Sequence, residues 1–255
     1  MARAIFVSDV HLHPAEPDRT GRFLSFLDYV RGERFPNLFI LGDLFHFWVG
    51  PKHAALPDYR PVLDTLGRVV AAGVKTVFFH GNRDFHVGTE FSRDLGIRVV
   101  KNHLELGIGG GRTIYVAHGD LLCAKDFKYR RMRRVIRSAP LVKLYRAMPL
   151  WMSLGIGNLF RKMSEAEVKR KTTRELQLSM PEVEAILARG PKAAILGHVH
   201  KAELRGLEVA GETKFLATLG AWDEGVSYLT LEGGKLTLFD GKQLGETAAS
   251  ADLGA

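Results

Sequence analysis

Ala4-Ile5-Phe6-Val7-Ser8-Asp9-Val10-His11 is a short apolar run that ends on a carboxylate and an imidazole. Four consecutive apolar residues without polar alternation read as a strand buried on both faces. The same design recurs four times. Residues 38–41 run into Gly42-Asp43, and residues 76–79 into His80-Gly81-Asn82-Arg83-Asp84. Residues 113–117 run into His118-Gly119-Asp120, and residues 193–196 into Gly197-His198-Val199-His200. Between these runs lie helical spacings. Phe23, Phe26, Leu27 and Val30 share one face of residues 22–31, and Val62, Leu63, Leu66, Val69 and Val70 share one of residues 61–72. Strands alternating with helices specify an α/β layered domain. Gly109-Gly110-Gly111 and Gly233-Gly234 join two further pairs of runs as hairpins, so antiparallel strands enter a mixed sheet.

The chain has 255 residues, of which 46% are apolar and 25% charged. That balance excludes a disordered, collagenous or coiled-coil chain and fits one large domain. Cys123 is the single cysteine, which excludes an internal disulfide and a cysteine-based zinc site. The amino-terminal apolar run is too short for a signal peptide, and no stretch is apolar over the ~18 residues of a membrane span. A reducing cytoplasm is therefore the expected setting.

Charge is uneven. Residues 125–174 hold fifteen Lys and Arg against three acids, a net +12, which leaves −4 for the rest of a chain whose total is +8. Such a block suits an anionic partner. Residues 125–180 also break the strand–helix alternation. They are expected to be an inserted group of helices, basic on one face and apolar on the other. Residues 1–124 and 181–243 are then the core, and the small, polar residues 244–255 are expected to be a frayed tail.

The five strand ends together supply Asp9, His11, Asp43, Asn82, His118, His198 and His200. In open α/β sheets, ligands gather at the carboxyl ends of strands. One Asp-x-His or Gly-His-x-His alone is ordinary loop chemistry; five such ends in one chain point to metal. The donors are nitrogen and oxygen, suited to manganese, iron, zinc or magnesium. Seven are too many for one small cation and fit two that share a carboxylate.

Asp9-x-His11, Gly42-Asp43, Gly81-Asn82, His118 and Gly197-His198-x-His200 resemble the motifs of the calcineurin-like metallophosphoesterases. The resemblance implies a four-layered αββα sandwich. It implies that Asp9, His11, Asp43 and His200 hold one metal, and that Asp43, Asn82, His118 and His198 hold the other, with Asp43 bridging. It makes Asp43, Asn82, Arg83 and His118 the expected catalytic group. Many members carry His after the Asn, as a general acid; here Arg83 stands there. Arginine does not give up a proton at neutral pH but clamps phosphate through two parallel hydrogen bonds. A phosphoanhydride, whose leaving phosphate needs little protonation, is the better match.

Longer strings narrow the resemblance: Ile40-Leu-Gly-Asp-Leu-Phe45 with Trp48 and Gly50, His80-Gly-Asn-Arg-Asp-Phe85, His118-Gly-Asp120 with Leu122-Cys123, and Leu219-Gly-Ala-Trp222. They are similar to those of the UDP-2,3-diacylglucosamine diphosphatases of lipid A synthesis. That family cleaves its substrate to UMP and 2,3-diacylglucosamine 1-phosphate, usually with manganese, at the cytoplasmic face of the inner membrane. Its helical insertion caps the site and holds acyl chains. Leu141, Leu144, Met148, Leu150, Trp151, Met152, Leu154 and Phe160 suit that task, or form the insertion's own core. The implied substrate contacts are Asn82, Arg83, Asp126, Ser164, Lys171 and His198. Val168 stands where the family often has Asn. Asp84 and Asp120 are expected to orient ligand histidines or Arg83. The alternatives are another nucleotide-sugar pyrophosphate or phosphodiester, nucleic-acid processing by the basic block, and a scaffold without catalysis. The bulky aliphatics within the block argue against nucleic acid, and the complete ligand set against a scaffold.

Overall fold

The computed structural model describes residues 3–123, 133, 135–156, 159 and 178–254. Its strands form two mixed sheets. In the first, β1 (Arg3–Val7), β2 (Asn37–Ile40), β3 (Lys75–Phe79) and β4 (Arg98–Val100) run parallel. On the other side of β1, the antiparallel strands β10 (Val226–Glu232), β11 (Lys235–Gly241) and β12 (Thr247–Asp252) complete the order β12-β11-β10-β1-β2-β3-β4. The second sheet is ordered β5-β6-β7-β9-β8. It holds β5 (His103–Gly109), β6 (Arg112–Ala117), β7 (Ala193–Leu196), β8 (Glu203–Val209) and β9 (Glu212–Thr218), with β6, β7 and β9 parallel. Two helices, α1 (Pro17–Gly32) and α2 (Arg60–Ala71), connect the first three strands. Two more are α3 (Ala139–Ala147) and α4 (Met180–Leu187).

Strand alternation explains the layers. Ile5 and Val7 point to one face of the first sheet and pack with Phe23, Phe26, Leu27 and Val30 of α1 and Val62, Leu66 and Val69 of α2. Ala4 and Phe6 point the opposite way, into a second core shared with Ile114, Val116 and Ile195 of the other sheet. Tyr115, Ala117, Ala194 and Leu196 face outward from that sheet onto Val183 and Leu187 of α4. The result is helix, sheet, sheet, helix. Each central strand is covered on both faces, which is why its sequence reads as an unbroken apolar run. Phe6 is fully buried and stacks on Phe39 at 4.9 Å, so truncating it to Ala costs about 3–5 kcal/mol.

One expectation is corrected. The segment read as a frayed tail contains β12, paired antiparallel to β11 from Lys235↔Asp252 to Phe239↔Thr247. Leu253 behind it is buried, and its N–H donates to the Gly234 carbonyl at 2.9 Å. An edge strand takes its hydrogen bonds from its neighbour, so Thr247-Ala-Ala-Ser-Ala-Asp252 needs no apolar pattern. The polar strand β8 and the three-residue β4 give as little signal for the same reason.

Within residues 125–180, α3 and the helical residues 150–156 are described. Exposed large hydrophobic side chains among the described residues all lie in this region: Val135, Leu141, Leu144, Trp151 and Leu159. Met148, Leu150, Met152 and Leu154 are half-buried. No described helix is long and apolar enough to cross a membrane.

Candidate metal centre

The strand ends meet on one rim, and cross-sheet hydrogen bonds hold them there. The His198 N–H donates to Asp9 Oδ2 at 2.7 Å. His118 Nδ1 donates to the Leu41 carbonyl at 2.8 Å. Within each sheet, His11 N–H donates to Asp43 O at 2.9 Å and Gly197 N–H to His118 O at 2.9 Å. Backbone conformation marks the same positions. Seven described non-glycine residues have φ in the left-handed region, and five are Asp9, His11, Asp43, His198 and His200. Such conformations cost about 1–3 kcal/mol each and persist where surrounding contacts impose them, commonly at functional sites. Gly81 and Gly197 explain the close approach: a Cβ on Gly81 would collide with the Asp43 carboxylate, and one on Gly197 with Ser8 and Asp9.

Two sets of donors converge. In the first, Asp9, His11 and His200 place His11 Nε2 3.1 Å from His200 Nε2, and Asp9 Oδ1 3.4 Å from His200 Nε2. In the second, Asp9, Asp43 and His118 bring donor atoms within 4.8 Å of one another. Asn82 Oδ1 lies 3.2 Å from His118 Nε2, and Asp43 Oδ1 3.8 Å from it. Asp9 thus reaches both sets. His198 lies beside His118, ring centroids 5.0 Å apart, and stands outside the two converging sets.

The donors suit divalent cations. Asp9 Oδ1 is buried and has no hydrogen-bond partner among the described residues. His118 is held at Nδ1, which leaves the Nε2 lone pair aimed at Asn82 and Asp43. In one amide orientation Asn82 presents its oxygen to Asp43 and His118, so acceptors meet only acceptors. The swapped orientation puts its NH₂ 2.7 Å from Asp43 Oδ2. A cation favours the first orientation and makes the amide oxygen a ligand. Protonation agrees. Burial first, and then the neighbouring cationic groups, push His11 down to about 3 despite Asp9. Burial and His118 push His198 down to about 4. Both rings are neutral at pH 7, the form that ligates metal. Burial alone would raise Asp9, but His200, 3.4 Å from its carboxylate, and the other nearby imidazoles hold it well below the usual carboxylate range. Burial opposes charge on His118 and His200, yet Asp9 and Asp43 raise both. A cation among these carboxylates competes with those protons.

Arg83 sits at this rim. Its N–H donates to Asp43 Oδ1 at 2.9 Å, and its Nε lies 3.7 Å from Asp43 Oδ2. The side chain is 24% exposed, so the guanidinium reaches solvent while its base is held. Asp84 differs from expectation. Its carboxylate accepts the N–H groups of Gly81, Asp43, Leu44 and Phe45 at 2.8–3.4 Å, and so folds the loop that carries Asp43. Burial and the Asp43 charge raise it to about 7. Asp120 sits 2.9 Å from Arg133 Nε and 3.8 Å from Arg137 Nη2. Burial would raise it, but His118, Arg133, His198 and Arg137 lower it to about 2.

Sequence patterns missed three supporting arginines. Arg19 is buried and donates to the His11 carbonyl at 3.2 Å, while its other terminal nitrogen pairs with Asp223 at 3.0 Å. Arg133 and Arg137 were legible only as part of the basic block. His46 lies edge-on to His11 and His13 at 6.3 and 5.1 Å. Trp222 is buried against Phe23 and Phe26. Asp126, Ser164, Lys171, Phe160 and Val168 lie outside the described residues.

Residues 2–202 match the family described as calcineurin-like phosphoesterase. The chain belongs to that family. The phosphoesterase is 32% identical over 220 residues to a protein of Pseudomonas putida named UDP-2,3-diacylglucosamine hydrolase, covering 86% of this chain and 90% of the relative. A protein of the same name from Azotobacter vinelandii is 33% identical over 230 residues, 90% of this chain and 94% of the relative. A dimetal phosphatase from Danio rerio shares the fold, with a TM-score of 0.54, 13% identity and 99% of both chains covered. The phosphoesterase is a hydrolase with a site for two divalent metal ions.

Proposed function

We propose that this phosphoesterase hydrolyses the pyrophosphate of UDP-2,3-diacylglucosamine to UMP and 2,3-diacylglucosamine 1-phosphate, with two Mn²⁺ ions. The observation that carries the reading is the likeness, over 86–90% of the chain, to hydrolases named for that substrate, in a chain whose donors converge on one rim. Arg83 supports it, because a clamp at that place suits a leaving phosphate.

Asp9, His11, Asp43 and His200 would hold one cation, and Asp43, Asn82, His118 and His198 would hold the other. Cations held there would supply activation of water and neutralisation of charge on the phosphoryl oxygens. The chain's own residues do the rest. Arg83 N–H holds the Asp43 carboxylate in one orientation, and the Arg83 guanidinium clamps a non-bridging phosphate oxygen. The Leu41 carbonyl keeps the His118 ring in its ligating tautomer. His200, 41% exposed, forms the open side of the rim where substrate enters.

Substrate contacts are assigned to Asn82, Arg83, Asp126, Ser164, Lys171 and His198. The insertion takes the acyl chains and meets the anionic cytoplasmic face of the inner membrane. Leu141, Leu144 and Trp151 are exposed beside Lys143, apolar and basic together, as an interfacial surface requires. The test is turnover of UDP-2,3-diacylglucosamine with Mn²⁺, products read by mass spectrometry. Both products, lost on chelation, are expected. No turnover alongside activity on a soluble nucleotide pyrophosphate or phosphodiester would discard the lipid substrate and keep the metal site.

A further inference from the structure

We infer that the insertion clamps the loop carrying Asn82 and Arg83 onto the metal rim, with Arg137 as the positioning residue. The inference rests on the metal-hydrolase reading and is independent of the lipid substrate. Three contacts reach that loop from residues 137–145. Arg137 Nη2 donates to the Gly81 carbonyl at 2.7 Å, immediately before Asn82. Its guanidinium lies over the Phe85 ring, 4.9 Å from the centroid. The Tyr145 ring on α3 stacks on His86 at 4.5 Å and 16°. Arg137 also lies 3.8 Å from Asp120, which follows His118 by two residues and meets Arg133 at 2.9 Å. One guanidinium therefore touches the loop that carries Asn82 and the loop that carries His118.

The geometry gives this grip a consequence. Gly81 is wedged against the Asp43 carboxylate, where even a methyl group does not fit. A carbonyl fixed at Gly81 limits how the next peptide turns, and that peptide sets where the Asn82 amide and the Arg83 N–H point. Arg83 N–H in turn holds Asp43. Arg137 is 15% exposed on its side chain, so its surface is mostly spent on these protein contacts. A partner touching a ligand-bearing loop typically changes metal affinity or activity by about 10–100-fold when removed. The insertion is then a structural part of the metal site as well as a place for substrate.

The test uses the full chain stripped of metal and titrated with Mn²⁺, free ion followed by electron paramagnetic resonance. It is paired with hydrolysis of bis(4-nitrophenyl) phosphate, a soluble diester without acyl chains. Arg137→Ala is expected to weaken the looser Mn²⁺ about tenfold and to lower kcat on the diester by a similar factor, with KM little changed. Unchanged Mn²⁺ binding and unchanged diester kcat would overturn the inference. So would a defect confined to KM for the acylated substrate, which would make Arg137 a substrate contact. Tyr145 supplies an independent check if Arg137→Ala does not fold. Tyr145→Ala, which loses the stack on His86, should lower diester kcat, and Tyr145→Phe, which keeps it, should restore it. Equal activity in the two variants would overturn the clamp. A chain inactive on UDP-2,3-diacylglucosamine that still shows these diester effects would lose the proposed substrate and keep the clamp.

Discussion

The metal rim and the insertion are built on opposite terms. At the rim, Asp9, Asp43, His11 and His118 are buried, their backbones are held in left-handed or hydrogen-bonded loops, and two sheets share the constraint. In the insertion, Leu144 and Trp151 are 57% and 72% exposed, and the segment is strongly basic. Buried acceptors that meet only acceptors call for a cation; exposed apolar residues among cations call for an amphipathic, anionic partner. On the proposed reading, the reaction and its specificity fall to separate parts of one chain, and the inferred clamp joins them at Arg137 and Tyr145.

Asp43→Ala is expected to separate the two parts most severely. Turnover of any phosphodiester should fall about a thousandfold or more, because several kcal/mol of charge stabilisation are lost with the cations. Metal analysis should show depletion; near-native activity would refute the sharing of Asp43. Arg83→Ala comes next. A loss of about a hundredfold in kcat/KM is expected with two metal ions per chain retained, since the proposed phosphate clamp is lost while the backbone N–H that holds Asp43 remains.

Acid should act on the core beneath the insertion. His53 is buried, stacks on Trp48 at 5.0 Å, and burial lowers it to about 4 from an ordinary 6.5. The unfolded chain binds this proton more readily, so stability is complete above pH ~6.5 and declines as pH falls towards ~4. About 3 kcal/mol is at stake over that window. Denaturant midpoints across the window should fall in the parent and fall less in His53→Asn, which keeps an acceptor for the Val49 N–H. Parallel curves would exclude His53 as the cause. The smallest effect belongs to the insertion surface. Leu144→Asp with Trp151→Asp should lower kcat/KM about tenfold on vesicle-borne acylated substrate and leave soluble diester hydrolysis unchanged. An equal loss on both substrates would break the division of labour.

The five central strands were legible because residues covered on both faces leave unbroken apolar runs, and α1 and α2 because one buried face repeats every three to four residues. β12 was misread as frayed because an edge strand is held by the backbone of β11, which no side-chain pattern announces. Asp84 was placed near the site correctly, yet its partners are four backbone N–H groups, and any nearby loop has those to offer. Arg19 sits on α1 like any amphipathic helix arginine until the fold brings the His11 carbonyl to it.

The amino-acid sequence by itself determined that five buried strands would each end in a residue able to ligate metal, because burial and ligand chemistry are properties of single residues and short spacings. It also determined that residues 125–174 would be strongly basic. Tertiary structure alone decided that Asp9 would reach both donor sets, that Asp84 would fold the Asp43 loop, and that Arg137 would hold Gly81. Those outcomes depend on backbone groups and on residues dozens of positions apart, and local sequence carries no record of which distant carbonyl or N–H a side chain will meet.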